Sequence, residues 1–368
     1  MKVVAVLGTR PEVIKLAPVI AELRRQGADT VVVSTGQHRE LLDQMLEQFG
    51  LVPDIDLAVM RPRQLLSELT AALVAGLGDV LRGSDVDWVL VQGDTTTTLC
   101  GALAGFYEGV PVAHIEAGLR SGHRHSPFPE EANRTLVARL ASLHFCPTAG
   151  SAANLIAESV PDEHVIVTGN TVIDALLWAL EHARRLPSPV PRTRSRRILL
   201  TLHRRESHGD AMHRVCDAVS ALVRRGDIEV VLPVHRSPAV RNVVVPRLED
   251  VEGVHLCAPL DYLSFIHVLD ECELVLTDSG GLQEEGPTLG KPVLVLRDTT
   301  ERPEAVDAGV ARLVGTDPSV IIRETRRLLD DPIAYAAMAH PQNPFGDGFA
   351  SRRIVEALAE FSELLHAA

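Results

Sequence analysis

Acids, basic groups and histidines recur in this chain in one kind of place, directly after a short apolar run. GTRPEVIK follows KVVAVL and offers Gly8, the guanidinium of Arg10 and, about a turn and a half later, the ammonium of Lys15. Asp94 ends DWVLVQGD, Glu116 follows VPVAHI, and SPFPEEANR opens a helical stretch with Glu130 and Glu131. His203 closes ILLTLH, His235 closes IEVVLPVH, and Ser279-Gly280-Gly281 follows ELVLTD. An arginine fork and bare Gly-Gly backbone suit a phosphate. Carboxylates crowded into a cleft raise one another's pKa, and an imidazole exchanges protons near neutrality. Together these residues predict a cleft enzyme for a nucleotide or sugar phosphate, with groups available for proton transfer.

Plainer readings compete at each position. Asp94 fits a helix N-cap, Glu116 fits an ion pair with Arg120, and Glu130 and Glu131 suit the positive end of a helix. Asp278-Ser279-Gly280-Gly281 also looks like the nucleophile turn of a serine protease. That chemistry needs a β-barrel with a His and a buried Asp suitably placed, which this chain does not suggest. GxGxxG and GxxxxGK[ST] are absent, and EGPTLGKP has the wrong spacing with Pro292 after Lys291. No HExxH occurs, and His123 and His125 in SGHRHSP are the nearest approach to a metal pair, so neither metal nor other cofactor is expected.

The elements that must carry these residues alternate from end to end. KVVAVLG, DTVVVSTG, DWVLVQGD, VPVAHIEAG and HVIVTGN read as buried strands, each followed by helical spacing. Continuous apolar strands between helices imply a parallel sheet covered on both faces. RRLPSPVPRTRSRR (184–197) has no periodicity and reads as a linker, after which ILLTLH, IEVVLPVH, ELVLTD, KPVLVL and ARLVG restart the pattern. The expected architecture is α/β: two doubly wound, Rossmann-like domains, 1–185 and 186–345, with a C-terminal helix in 346–368 that folds back on the first. Ligands of such sheets lie beyond the carboxyl ends of the strands, so the site is expected in the cleft between the domains.

Bulk composition narrows the classes. The chain has 368 residues, enough for about two domains, with 46% hydrophobic and 23% charged residues, as in an ordinary soluble protein. A net charge of -13 argues against nucleic acid as a partner, and the apolar runs fall far short of a membrane span. Five scattered cysteines without a CxxC fit reduced thiols. MKVVAVLGTRPE runs into Pro and charge without a signal-peptide core, which predicts a cytoplasmic location.

Taken in order, GTRPEVIK, TGQH, VQGDTTTT, HIEAGLRSG with SPFPEEANR, VTGNTVIDAL, HRRES, TDSGGLQEEGPTLGKPVLVLRDTTERPE and NPFGDGFASRRI span nearly the whole chain. They closely resemble the non-hydrolysing UDP-N-acetylglucosamine 2-epimerases of bacteria. The resemblance implies a GT-B-like fold, a homodimer, and reversible conversion of UDP-N-acetylglucosamine to UDP-N-acetylmannosamine without NAD or metal. It assigns proton transfer to Asp94, Glu116 and Glu130, and the departing diphosphate or its proton balance to His203. It assigns diphosphate contacts to Arg10 and Ser279-Gly280-Gly281, and sugar or phosphate to Lys15. Phe265 would pack on uracil, although helical spacing alone makes it a core aromatic, and Glu285 would accept from the ribose hydroxyls. His235 joins the substrate-binding group.

The same resemblance implies a second UDP-sugar bound as activator, at Gln37, Arg63, Gln64, Glu130 and Arg204. Relatives tend to have Asn or Asp and then Tyr where GHRHSPF stands here, so His123 and His125 depart from the pattern. Three rivals stay open: an epimerase of another UDP-2-acetamido sugar, a hydrolysing epimerase, which tends to carry GTRAE, and a GT-B glycosyltransferase.

Overall fold

The computed structural model of the chain describes residues 1–36, 39–61, 63–203, 209–339 and 343–367. It forms two compact units, Met1–Ala175 with Phe345–Ala368, and Leu176–Pro344. The division falls inside the helix Thr171–Ala183, upstream of the Pro-rich segment.

In the first unit the strands are β1 (Lys2–Leu7), β2 (Asp29–Ser34), β3 (Ile55–Asp56), β4 (Trp88–Gln92), β5 (Val112–Ile115), β6 (Leu143–Cys146) and β7 (Val165–Val167). They pair in parallel in the order β3-β2-β1-β4-β5-β6-β7. The second unit holds β8 (Arg196–Thr201), β9 (Ile228–Pro233), β10 (Val254–Cys257), β11 (Leu274–Thr277), β12 (Val293–Val295) and β13 (Ala311–Leu313). Their order is β10-β9-β8-β11-β12-β13, again parallel. Both sheets are doubly wound, with winding reversed between β1 and β4 and between β8 and β11. At those two reversals adjacent loops part and leave room for a ligand.

β1 and β4 are buried almost completely, as their apolar runs predict. The edge strand β7, also expected to be buried, has no buried residue and leaves Val167 exposed, because no described strand pairs with its outer side. Three strands are absent from the expected pattern. β3 has two residues, β10 is a half-exposed edge, and β6 carries His144 in its middle. The C-terminal helix Ala350–Ala367 lies in the first unit, where Trp88 Nε1 donates to Ser362 Oγ at 2.8 Å. Asp174 accepts from the backbone N–H groups of Ala350 and Ser351 at its start.

Residues 184–197 are not a free linker, contrary to their composition. Ser188 Oγ donates to Glu271, Thr193 N and Arg194 N donate to Glu229, and Arg197 Nη2 donates to Val190 O. The Arg197–Glu229 pair is fully buried at 2.7 Å. Burial alone would raise Glu229, but donors from Thr193 and Arg197 outweigh it and bring the carboxyl down to about 2. A buried pair held by that many donors straps the segment onto the second unit.

Candidate active site

In the first unit Asp94 follows β4, Glu116 follows β5 and Glu130 opens the helix Glu130–Leu140. Gly8 packs so closely that a Cβ there would lie 2.1 Å from Thr35 Oγ1 and 2.6 Å from Thr97 Oγ1. Close approach is what demands glycine here. Thr9 precedes the helix Arg10–Arg25, on which Arg10 is half-buried. Glu12, three residues after Thr9, is buried beneath this loop. Its Oε2 accepts from Gly8 N at 2.7 Å and Thr9 N at 2.6 Å. Its Oε1 accepts from Thr95 Oγ1 at 2.5 Å and Thr98 Oγ1 at 3.3 Å. One carboxyl thus ties the Gly8-Thr9 loop that leads into Arg10 to the loop that carries Asp94. Burial raises its pKa, and donors from Thr95, Gly8 and Thr9 pull it partly back.

Lys15 and Glu116 meet at 2.5 Å. Gln92 Nε2 also donates to Glu116 Oε2, and Asn170 Nδ2 to Oε1 at 3.4 Å. The plainer reading, an ion pair of Glu116 with Arg120, does not hold, because Arg120 binds Glu158 at 2.7 and 2.8 Å. Glu116 also adopts φ 61, a left-handed conformation that costs a non-glycine residue free energy. A buried carboxylate under strain and held by a half-buried cation is an arrangement typical of functional sites.

Asp94 is not a helix N-cap, since Thr95 caps that helix through Thr98 N. Its carboxylate instead pairs with Arg134 at 2.7 Å, and Asn133 Nδ2 donates to its carbonyl. Both partners lie on the helix Glu130–Leu140, so Asp94 is drawn to the helix that Glu130 opens. Arg134 also holds Glu131, which accepts from Ser121 N and Gly122 N. Burial works to raise Glu131, but these donors keep it below its ordinary value. Glu130 differs: its Oε2 is buried with no hydrogen-bond partner among the described residues. An unsatisfied buried carboxylate oxygen is costly unless a ligand completes it.

In the second unit His203 ends β8 and Asp278 ends β11, on either side of the winding reversal. The His203 Nδ1 lies 2.8 Å from Asp278 Oδ1. His235 follows β9 and is exposed, its ring 6.3 Å from that of His203. Ser279 N donates to Thr277 Oγ1, and Gln283 Nε2 donates to Ser279 O. Gly281 is helical, at φ -62 and ψ -40, and exposed. An added Cβ there would meet no atom nearer than 3.9 Å, so neither backbone strain nor packing demands glycine, and the open space remains for a ligand.

Glu285 lies one turn into the short helix Leu282–Thr288. Its neighbour Glu284 is buried and bonded to Arg302. Phe265 is half-buried on the helix Tyr262–Glu271. Arg63 is exposed, and Gln64 Oε1 accepts from Arg61 N. Gln37 and Arg204 lie outside the described residues.

Residue typing passed over Glu12, Gln92, Arg134, Asp278 and Gln283. Glu12 carried a usable signal, because Thr9-Arg10-Pro11-Glu12 has the spacing of a helix capping box.

The sequence profile described as UDP-N-acetylglucosamine 2-epimerase matches residues 21–359. The chain belongs to this family. It is 50% identical to the UDP-N-acetylglucosamine 2-epimerase of Escherichia coli K12 over 369 residues, covering 97% of this chain and 98% of that protein. The Yersinia pestis enzyme of the same name is 48% identical over 369 residues, covering 97% and 98%. The crystal structure of UDP-GlcNAc 2-epimerase from Neisseria meningitidis bound to UDP-GlcNAc superposes with a TM-score of 0.90 at 47% identity, covering 98% of this chain and 100% of that one. The family is one of isomerases, and the paired α/β units of this epimerase chain are GT-B-like.

Proposed function

We propose that this chain interconverts UDP-N-acetylglucosamine and UDP-N-acetylmannosamine without hydrolysis. The observation that carries the reading is the set of acids in the first unit, where Asp94 and Glu116 are held by cations while Glu130 keeps a buried oxygen that has no partner among the described residues. Such a set can take and return a proton at a sugar carbon.

The chemistry explains why so many groups are needed. The C2–H bond lies beside an amide nitrogen, which offers no electron sink for direct deprotonation. Loss of that proton is therefore coupled to cleavage of the C1–O bond, whose electron pair leaves with the diphosphate. The product pair is 2-acetamidoglucal and UDP. Re-addition of the diphosphate oxygen to C1, with protonation of C2 on the opposite face, completes inversion. Asp94, Glu116 and Glu130 serve the proton transfers. Arg10 and the Ser279-Gly280-Gly281 turn hold the diphosphate, His203 balances its charge, Glu285 takes the ribose and Phe265 the uracil. Lys15 acts on Glu116 as its counter-charge as well as lying toward the sugar. GTRPE at residues 8–12 supports the non-hydrolysing course.

We read the enzyme as a cytoplasmic homodimer that a second UDP-sugar activates. Five unpaired thiols suit a reducing compartment. Exposed Phe106, Tyr107 and Leu136, on the helices Thr96–Tyr107 and Glu130–Leu140, suit a second copy. Sedimentation tests the dimer, and initial rates from UDP-N-acetylmannosamine with and without added UDP-N-acetylglucosamine test the activator.

The deciding experiment is incubation with UDP-N-acetylglucosamine in D₂O, followed by NMR. Epimerisation with deuterium entering C2 is expected. Stoichiometric UDP release would indicate hydrolysis instead, and no reaction would favour another sugar or a transferase.

A further inference from the structure

We propose that Asp278 is a positioning residue for this reaction, fixing the tautomer and aim of His203; the proposal rests on the reading above, in which His203 faces the departing diphosphate. Asp278 is completely buried at the end of β11, and His203 stands beside it at the end of β8. The backbone N–H of His203 donates to both carboxylate oxygens, at 3.1 and 3.0 Å, and the ring Nδ1 lies 2.8 Å from Oδ1. One residue is therefore gripped through its main chain and its side chain by the same carboxylate.

Donor and acceptor accounting sets the tautomer. An ionised carboxylate only accepts, so the His203 Nδ1 must carry hydrogen. The remaining nitrogen, Nε2, is left to exchange a proton or donate to a ligand oxygen. The imidazole is 40% exposed while its carboxylate partner is 0% exposed, so the ring has an open side and a buried anchor. Beneath the pair, Thr201 and Thr277 join their hydroxyls at 2.6 Å across β8 and β11, which keeps the two strand ends in register. The anchor also supplies negative charge where an imidazolium would form as the diphosphate changes its proton balance. This logic is that of any carboxylate–imidazole pair: the carboxylate itself stays ionised, holds the ring and stabilises its charged form.

Asp278→Asn removes the charge and places an amide donor within reach of Nδ1, which favours hydrogen on Nε2 instead. Measured with UDP-N-acetylglucosamine, kcat should fall by about 100-fold or more while KM stays within about three-fold. His203→Gln should be comparably slow, and the double variant should lose little beyond either single one. The side-chain nitrogen NMR shifts of His203 in the unmodified protein should show hydrogen on Nδ1, moving to Nε2 in Asp278→Asn.

Asp278→Asn with normal turnover, or additive losses in the double variant, would overturn the proposal and leave the epimerase reading intact. Normal turnover in His203→Gln would refute the role of His203 itself, and the proposal with it. A bare Nδ1 in the unmodified protein would overturn the proposal even if Asp278→Asn failed to fold.

Discussion

Acidification should unfold the first unit through two histidines that touch no substrate. His114 on β5 and His144 on β6 are register partners in the sheet, each 1% exposed. His114 Nε2 donates to the Gly93 carbonyl at 2.7 Å, immediately before Asp94. The Nδ1 of each ring is buried without a partner among the described residues. Burial pushes His114 down to about 4 from an ordinary 6.5, and burial with the neighbouring His114 pushes His144 down to about 3. Both folded values lie below the unfolded one, so the unfolded chain binds more protons in between. The stabilisation is therefore fully present above about pH 6.5 and is lost as pH falls toward 4 and then 3. Between pH 7.5 and 5 the linkage amounts to about 2 kcal/mol for each ring, about 4 kcal/mol for both. That is a large part of a domain's usual margin of roughly 5–15 kcal/mol. Urea unfolding at the two pH values measures the loss, and His144→Gln should reduce it by about half. Imidazole carbon shifts should show both rings neutral at pH 5. If either ring titrates near 6.5 in the folded protein, or if His144→Gln loses as much stability as the parent, the reasoning fails. Because His114 holds the Gly93 carbonyl, activity should disappear along with this transition.

Lys15→Met should leave the protein folded but lower kcat by about ten-fold or more with little change in KM, since Glu116 loses its cation in a buried site; a raised KM with unchanged kcat would argue that Lys15 works on substrate binding alone. Glu12→Ala strands the N–H groups of Gly8 and Thr9 and the hydroxyl of Thr95, a cost of about 2–4 kcal/mol read as a lowered Tm. Glu12→Gln keeps one acceptor and should cost less, and equal Tm values for both variants and the parent would refute the tether.

Much of the architecture was legible because a parallel sheet covered on both faces needs continuous apolar strands, and the first polar residue after each run marks a ligand-facing end. That is why Arg10, Asp94, Glu116, His203 and Ser279 could be picked out by position. The edge strands β3 and β10 were not legible, because two residues or a half-exposed run leave no periodicity to read. Composition also misread residues 184–197, where Pro and Arg suggested a free linker. Glu229 and Glu271, far along the chain, supply the acceptors that fasten it.

The sequence by itself determined the α/β class, the family and the positions where polar chemistry emerges from the strands. The tertiary structure alone decided the partners. Local spacing offered Arg120 to Glu116, yet the fold sends Arg120 to Glu158 and brings Lys15 from 101 residues away. It likewise gives Asp94 to Arg134, 40 residues on, and joins His203 to Asp278 across 75. A hydrogen bond forms only where two groups lie about 3 Å apart, and strand order sets which loops come that close. No local period in the chain encodes that order.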